Sequence, residues 1–505
     1  MILIRFSGEI AIKSRNTRAR FQARLAENLR QALQVEGIEG SVERQWSRFL
    51  VNATDPAAAP ALARVFGVSS VSVAERRPWK DHEDTVRQAA AHFIPQVTGR
   101  RFAVRARCTG NHHKGRPSTS AIERDLGAAL LSRSAGVDLS NPEVTAHVEL
   151  HPDAFYLFSE RISGPGGLPL GVEGRALSLI SGGFDSAVAS WSMLKRGVSL
   201  DYVFFNLGGA AHRAGVLRVL SVLARDWSYG DRPNLVEIDF RPLVAELEAK
   251  IRPRYWQIVL KRLMVSMAQE VAAGRHLPAL VTGEAVGQVS SQTLHNLAAI
   301  SRAVDLPILR PLVGFNKEEI VAVARRIGTF EPSAEVKEYC ALAARYPTTR
   351  ANLKVVEEQQ ALIDGRLIER AVERQRRLDP RAYDPRSLSP SPAPLNEVPE
   401  EATLIDLRER SAYDDWHLPG ALHLDFFAAL KAYPSFRRDG LYVLYCDVGL
   451  KSSHLAEEMR EAGYDARHLG GGLRAIRHRY ERQSPAPEEA GSRPGSEVGV
   501  PKAVQ

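Results

Sequence analysis

The feature that most constrains this chain is a short glycine turn between an apolar run and a helical pattern. Ala176-Leu177-Ser178-Leu179-Ile180 leads into Ser181-Gly182-Gly183-Phe184-Asp185-Ser186, and apolar periodicity then continues through Lys195. A buried strand that becomes a helix within three residues needs small side chains at the turn, and it leaves free backbone N–H groups at a helix N-terminus, where an anion is favoured. The GxxxxGK[ST] spacing of a Walker A loop is absent. Across residues 175–330 the alternation recurs, with further apolar runs at 200–205 and 279–282 separated by helical patterns. Such alternation predicts a parallel sheet covered by helices. Near residue 317 a helix start is well marked: Asn316 can cap it with Glu319 three residues on, and Ile320, Val323, Ala324 and Ile327 share one face.

A length of 505 residues predicts three or four domains at roughly 100 to 200 residues each. The clearest divide is residues 379–400, where Pro380, Pro385, Pro390, Pro392, Pro394 and Pro399 interrupt any helix or central strand. These 22 residues predict an extended linker, with a reach of at most roughly 70 Å. A softer break is expected at Ser163-Gly164-Pro165-Gly166-Gly167, after a run with strand character at 155–158. Residues 483–505, rich in proline and glycine, predict a disordered tail. There is no internal repeat. The first 165 residues mix helix and strand patterns less regularly and predict an α+β arrangement.

Lysine and arginine number 67 against 59 acidic residues, and the net +8 identifies no partner by itself. Its distribution is more informative, because residues 1–165 hold 23 basic and 17 acidic side chains. Lys13, Arg15, Arg18, Arg20, Arg24 and Arg30 crowd one stretch, as in a phosphate-contacting surface and equally as in a solvated helix face. No run approaches the eighteen apolar residues of a membrane span, and Met1-Ile2-Leu3-Ile4 stops at Arg5 with no cleavage site. A cytoplasmic protein with no membrane partner is expected, given a start at Met1. Three widely spaced cysteines, at 108, 340 and 446, exclude a disulfide scaffold and a CxxC zinc site. The His112-His113 pair has no carboxylate or cysteine at ligand spacing, which favours RNA contact or plain exposure over metal.

The 181–186 string resembles the PP-loop of ATP pyrophosphatases, which cleave ATP between the α and β phosphates. Phe204-Phe205-Asn206-Leu207-Gly208-Gly209-Ala210-Ala211-His212, Leu260-Lys261-Arg262, Val281-Thr282-Gly283-Glu284-Ala285 and Gly287-Gln288-Val289-Ser290-Ser291-Gln292-Thr293 narrow the resemblance. They are similar to the tRNA uracil 4-sulfurtransferases, or 4-thiouridine synthetases. Gly8-Glu9-Ile10-Ala11-Ile12-Lys13-Ser14 and Val65-Phe66-Gly67-Val68-Ser69-Ser70 resemble the ferredoxin-like and THUMP modules with which that family grips tRNA. The implied fold is multidomain α/β and α+β. Its expected parts are a ferredoxin-like domain at 1–56, a THUMP domain at 57–163, a PP-loop parallel-sheet domain at 170–378, the linker at 379–400, a rhodanese-like α/β domain at 401–482 and the tail.

The resemblance places Leu179, Ile180, Ser181, Gly182, Gly183, Asp185, Ser186, Lys261, Gly283 and Gln292 around ATP, with Asp185 and Lys317 in the adenylation chemistry. Lys13, Arg15, Arg18 and Arg20 fall to tRNA. A lysine is a compact charge for a departing pyrophosphate, an aspartate can hold Mg²⁺ or orient reacting groups, and Gly283 would let adenine approach the backbone. Read singly, Lys261 and Lys317 would be solvated surface lysines.

Beyond the linker, Leu404-Ile405-Asp406-Leu407-Arg408, His417-Leu418-Pro419-Gly420-Ala421 and Cys446-Asp447-Val448-Gly449-Leu450-Lys451-Ser452 resemble a rhodanese domain. Its CxxGxxS loop wraps a cysteine sulfur in backbone N–H groups at a helix mouth, an arrangement that stabilises a thiolate or persulfide. Four departures stand out: Lys451 for the common arginine, Asp447 beside the sulfur, Trp416 for a glycine, and Ile476 for a tryptophan. Local chemistry makes Cys340 a packing residue, but the resemblance implies that it acts with Cys446; Cys108 matches no motif. The implied activity is ATP-dependent replacement of uridine O4 by sulfur at tRNA position eight. A cysteine desulfurase would load Cys446 and a cellular reductant would reset it. The rival reading is a persulfide carrier that serves only thiamine thiazole synthesis through a small sulfur-carrier protein.

Overall fold

Ile2, Leu3 and Ile4 are all buried, which a strand achieves only when both its faces are covered. In the computed structural model, which describes all residues except 46–47, 109–117, 152, 337–346, 384–393, 448 and 484–505, this strand lies at the centre of an antiparallel sheet. The sheet's order is Ile162–Ser163, Val68–Val73, Ile2–Phe6, Arg48–Asn52, Ser41–Arg44. On one face the helix Arg15–Val35 lays down Phe21, Leu25, Leu29 and Leu33, spaced by four. On the other, Leu3 and Leu50 meet Ala154, Tyr156 and Phe158 of a second sheet. That mixed sheet runs Glu75–Pro78, Ala154–Phe158, Val144–Leu150, Arg101–Cys108, Gly136–Val137 and is backed by the helices His82–Val97 and Thr119–Leu131. The first layer extends past residue 56, because Val68–Val73 pairs antiparallel with Ile2–Phe6 (Leu3 opposite Ser72).

Where the two sheets meet, the Glu149 carboxylate is buried between arginines. Arg5 Nη2 reaches it at 2.9 Å, Arg48 forms a second ion pair, and His151 lies 3.2 Å away. Burial would raise this carboxyl, but His151, Arg48 and Arg5 outweigh burial and hold it at about 2.

The third sheet realises the alternation of residues 175–330: Ile308–Leu309, Leu280–Val281, Arg175–Leu179, Ser199–Asn206 and Leu235–Asp239 are parallel neighbours in that order. The strand Ser199–Asn206 is buried at every position, since Trp191, Val216, Leu220 and Ile320 cover one face of the sheet and Leu243, Leu247, Leu263 and Met267 the other. A sixth strand, Arg376–Leu378, departs from the parallel expectation and adds antiparallel to Leu235–Asp239. Leu378 packs against the core while Arg376 and Arg377 stay exposed, so a single apolar side chain docks this edge.

The expected break at 163–167 is a tight joint. A Cβ on Gly167 would fall 2.0 Å from the Lys195 carbonyl oxygen, and one on Gly164 2.3 Å from that of Val68. Arg24 reinforces the joint by donating to the carbonyls of Leu170 at 2.8 Å and Gly230 at 2.7 Å. Phe66 of the N-terminal layer stacks within 5.7 Å of Trp191 and 5.6 Å of Trp227.

From Pro394 to Gln483 the described chain forms the body of a separate compact unit. Its four parallel strands are ordered Leu422–His423, Thr403–Asp406, Leu441–Tyr445, Asp465–His468, and the helix Leu450–Glu461 buries Leu455, Ala456 and Met459 against them. The linker is shorter than its proline content suggests. Arg381 donates to the carbonyls of Ala224 and Ser228, and Tyr383 packs on the core of the first unit. At the other end Leu395 bridges to Leu469 and Val398 joins the second unit's core. Side chains with a surface to bury override the breaker effect of proline at both ends. The segment between, 384–393, and the expected tail beyond 483 lie outside the described residues. No described helix is long and apolar enough to cross a membrane.

Glu149 carries a pH prediction. Its folded value lies below the ordinary 4.5, so the stability it contributes is complete above about pH 4.5 and is lost as pH falls towards 2. Glu149→Gln leaves two buried guanidinium groups without their anion and should destabilise the N-terminal layers by about 3–5 kcal/mol at pH 7. Urea unfolding between pH 2 and 7 should show that penalty shrinking towards zero at the acid end; a penalty independent of pH contradicts the assignment.

Candidate active site

The strand Arg175–Leu179 ends at the crest of the sheet, and the chain turns through Gly182 (φ +81°) into the helix Phe184–Lys195. The turn is braced by its own serines. The Ser181 N–H donates to the Ser186 hydroxyl oxygen at 3.2 Å, and the Ser186 hydroxyl donates to the Gly183 carbonyl at 3.0 Å. Asp185, the second residue of the helix, presents its carboxylate at the mouth of this turn. Lys317 Nζ donates to Oδ1 at 2.9 Å and Gln288 Nε2 to Oδ2 at 2.9 Å. Lys317 is the first residue of the helix Lys317–Ile327, held by the expected Asn316–Glu319 capping box, and its ammonium lies 5.4 Å from the Phe184 ring centroid. The loops after the strands Arg175–Leu179, Leu280–Val281 and Ile308–Leu309 thus converge at the carboxyl ends of parallel strands, where open α/β sheets bind ligands.

Gly283 has a packing reason to be glycine beside the adenine approach that the resemblance implies. A Cβ there would stand 2.6 Å from the Asp185 carbonyl carbon and 2.7 Å from the Ser186 nitrogen, so the strand end packs directly on the backbone of the glycine turn. Beside it, buried Glu284 takes Lys261 Nζ at 3.2 Å and Arg310 Nε at 2.8 Å. Burial pushes the Glu284 carboxyl up, but the two cations prevail and hold it below the usual carboxylate range. Two cations against one anion leave a net positive charge. Gln292 is 8% exposed and its Oε1 has no partner among the described residues, an acceptor that suits a ligand donor. His212 is buried beside the turn. Its Nδ1 accepts the Leu207 N–H at 3.4 Å, and burial pushes the imidazole down to about 4 against a backbone hydrogen bond to Ser181.

Asp185, Lys317 and the glycine turn thus meet, Lys261 and Gly283 share the Glu284 neighbourhood, and Leu179 ends the strand that delivers the turn, with Ile180 the first residue past it. Gln288, Glu284 and Arg310 went unassigned in the sequence. A neutral amide in a loop announces nothing, and an acid shared by two bases shows only when they are neighbours in space.

In the second unit Cys446 is 3% exposed. Its sulfur accepts the Ser452 N–H at 3.4 Å, its thiol donates to the Ser452 hydroxyl at 3.5 Å, and Gly449 (φ +83°) turns the chain into the helix Leu450–Glu461. The neighbouring Asp447 contributes its carbonyl to the Leu473 N–H at 2.9 Å. Lys451 Nζ lies 5.9 Å from the Phe426 ring centroid. Trp416 and Ile476, two departures from the rhodanese pattern, belong to one apolar cluster with Leu404, Leu418 and Tyr445, so aromatic bulk absent at 476 is present at 416. Beneath them Arg408 grips Asp406 through Nε at 2.9 Å and Nη2 at 2.6 Å.

Cys340 lies outside the described residues, as do His112 and His113. Val336, four residues before Cys340 in sequence, packs against the site: its Cγ2 is 3.2 Å from the Cβ position of Gly182 and 3.0 Å from that of Gly215. Cys108 packs partly buried against the second sheet's core. In the basic stretch, Lys13, Arg15 and Arg20 are exposed and Arg18 is half-buried. Arg24 instead serves the domain joint, and Arg30 pairs with Glu27 at 3.4 Å. Another basic group is dispersed in sequence: Arg5, Arg105 and Arg161 act on His147, which burial and these charges push down to about 4, and Arg107 acts on Arg48.

Known proteins match this chain along most of its length. The family model described as thiamine biosynthesis protein (ThiI) matches residues 171–364, the ThiI ferredoxin-like domain residues 1–72, the THUMP domain residues 80–160 and the rhodanese-like domain residues 391–479. The expected set of ferredoxin-like, THUMP, PP-loop and rhodanese-like folds is the one found. A tRNA sulfurtransferase of Desulfurococcus amylolyticus is 38% identical over 95% of this chain and 99% of its own length. One from Pyrobaculum aerophilum is 36% identical over 92% and 96%. A crystal structure of a 4-thiouridine synthetase–RNA complex with bound ATP superposes with a TM-score of 0.64 at 31% identity, covering 75% of this chain and 98% of that one.

Gly283→Ala tests the packing that shapes the site. The added methyl must displace the Asp185–Ser186 backbone, costing about 1–3 kcal/mol as overpacking does and pulling Asp185 from Lys317. A crystal structure of the variant with the turn unmoved and its melting temperature unchanged would refute this.

Proposed function

The chain belongs to the tRNA sulfurtransferase family, and we propose that it adenylates a tRNA uridine, position eight in the family pattern, and replaces its O4 with persulfide sulfur to give 4-thiouridine. The observation that carries this reading is the Asp185–Lys317 pair at the mouth of a glycine turn that opens a helix. Backbone N–H groups at that turn suit the phosphates of ATP, the Gln292 Oε1, without a partner among the described residues, suits a base donor, and the surplus cation of the Lys261–Glu284–Arg310 group suits the departing pyrophosphate. The uracil oxygen is a poor leaving group, and AMP transferred onto it makes a good one. Asp185 would hold Mg²⁺ or orient the reacting groups; the ion, which keeps several waters and few protein ligands, would screen the polyphosphate charge. Lys13, Arg15, Arg18 and Arg20, together with the exposed Arg105, Arg107 and Arg161, supply the positive surface for the RNA backbone. A cytoplasmic setting supplies the reductant that the sulfur chemistry consumes.

Sulfur would arrive on Cys446, loaded as a persulfide by a cysteine desulfurase. Its outer sulfur attacks C4 and expels AMP, and the Cys340 thiolate then attacks Cys446 Sγ. The bond between Cys446 and the transferred sulfur breaks, thiolated tRNA leaves, and a Cys340–Cys446 disulfide remains for a two-electron reductant. In the alternative order Cys340 first frees hydrosulfide, which displaces AMP. The ten residues 384–393 between the docked ends of the linker reach roughly 35 Å when extended, half of what the proline content alone implies. The family model's description as a thiamine biosynthesis protein supports a second role, in which Cys446 passes its sulfur to a small carrier protein for thiazole synthesis.

Incubation with ATP, Mg²⁺, unmodified tRNA and a cysteine desulfurase with cysteine as sulfur source should yield AMP and pyrophosphate, and Asp185→Ala should lower that rate at least about 100-fold without unfolding the protein. ADP as product would remove the adenylation reading. Cys446→Ser and Cys340→Ser should each abolish multiple-turnover thiolation while Cys108→Ser leaves it intact. Sustained turnover by the Cys340→Ser protein would contradict the two-cysteine scheme alone.

A further inference from the structure

Asp185 is held by two donors of different kinds. Lys317 brings an ammonium to Oδ1, and Gln288 brings a neutral amide to Oδ2, each at 2.9 Å. An ammonium on a flexible four-carbon stem is drawn to phosphate and can exchange partners, whereas an amide offers phosphate no charge. The loop that carries Gln288 is pinned. The Val286 N–H donates to the Val313 carbonyl at 3.1 Å, the Gly287 N–H to the Gln292 carbonyl at 3.0 Å, and the Gln288 N–H to the Ala285 carbonyl at 3.4 Å. Gly287 takes φ +78° with nothing near its Cβ position, so the turn needs glycine for its backbone alone. Gln288 itself is half-buried and belongs to neither core cluster of the sheet, so filling the interior is not its task.

We propose that Gln288 is a positioning residue that keeps the Asp185 carboxylate aimed when the Lys317 ammonium turns to the polyphosphate of the incoming nucleotide. Without it, Asp185 would have, among the described residues, only the lysine to fix its orientation, and a phosphate that recruits the lysine would release the carboxylate at the moment it is needed. With it, one oxygen stays tied to a rigid loop, and the helix Phe184–Lys195 and the loop 284–292 act as one frame. The inference rests on the adenylation reading above.

The test is tRNA-dependent pyrophosphate release by the full-length protein, with kcat, the KM for ATP and tRNA affinity measured for two variants. Gln288→Ala should lower kcat roughly 10- to 100-fold, the scale of a misplaced reacting group, with the KM for ATP within about two-fold of the parent and tRNA affinity unchanged. Gln288→Glu keeps the size of the side chain but turns an acceptor towards Asp185, so its kcat should fall below that of Gln288→Ala. A side chain that only shaped the loop would rank the two the other way, since the near-isostere would then be the milder change. An unchanged kcat in Gln288→Ala, a Glu variant more active than the Ala variant, or an effect confined to KM would each overturn the proposal. Failure of the unsubstituted protein to release pyrophosphate would instead remove the adenylation reading beneath it.

Discussion

The candidate active site depends on one close approach, that of Gly283 to the backbone of Asp185 and Ser186. Two parallel strands end side by side there. The absence of a single side chain lets the end of Leu280–Val281 rest on the first turn of the helix Phe184–Lys195. That contact sets the height of the glycine turn above the sheet and brings the loop bearing Gln288 to one side of Asp185. The capped helix Lys317–Ile327 brings the lysine to the other side. Glu284 is buried one residue on, and it is tolerable there only because two cations answer it. A charged, hydrogen-bonded cluster thus follows from a steric fact about one glycine.

The same helices that start at the site also join it to the N-terminal layers. Trp191, near the end of Phe184–Lys195, and Trp227, just past the end of Gly209–Asp226, stack on Phe66. Arg24 and the glycines at 164 and 167 leave the joint no slack. A surface that binds RNA on the first two sheets would therefore stand at a fixed distance from the glycine turn. Buried aromatic contact, which is short-ranged and shape-dependent, provides that rigidity more effectively than the surface ion pairs around it. Cys446 lies instead in a separate unit.

Periodicity made the parallel sheet readable because strands covered on both faces must be apolar throughout, as 199–206 is, and the capping box of Asn316 and Glu319 is a local device written in four adjacent residues. Boundaries were harder to read. Proline at 380 and 394 suggested free chain, yet Arg381, Tyr383, Leu395 and Val398 found surfaces to bury against, and such surfaces belong to distant residues. Among the arginines, charge density singled out the stretch 13–30, but direction decides role. Arg24 points inward at two carbonyls, while Arg5, Arg48, Arg107 and Arg161, scattered over the chain, gather near one carboxylate.

The sequence by itself determined the layered α/β core, the glycine turn that opens a helix, the cysteine loop of the second unit and the identity of the charged residues that could do chemistry. All of these are local patterns, fixed by hydrogen-bond period, backbone freedom and side-chain type over a few residues. Only the tertiary structure decided which of those residues meet: that Asp185 takes Lys317 on one oxygen and a neutral glutamine on the other, that Lys261 and Arg310 divide one buried glutamate, that Trp416 and Ile476 exchange bulk within one cluster, and that Gly283 is small for the backbone against it. Pairings of this kind join positions up to about a hundred or more residues apart, with separations of 132 for Lys317 and Asp185 and 103 for Gln288 and Asp185. They are set by which loops the sheet order brings to one crest, and a linear sequence does not carry that order on its face.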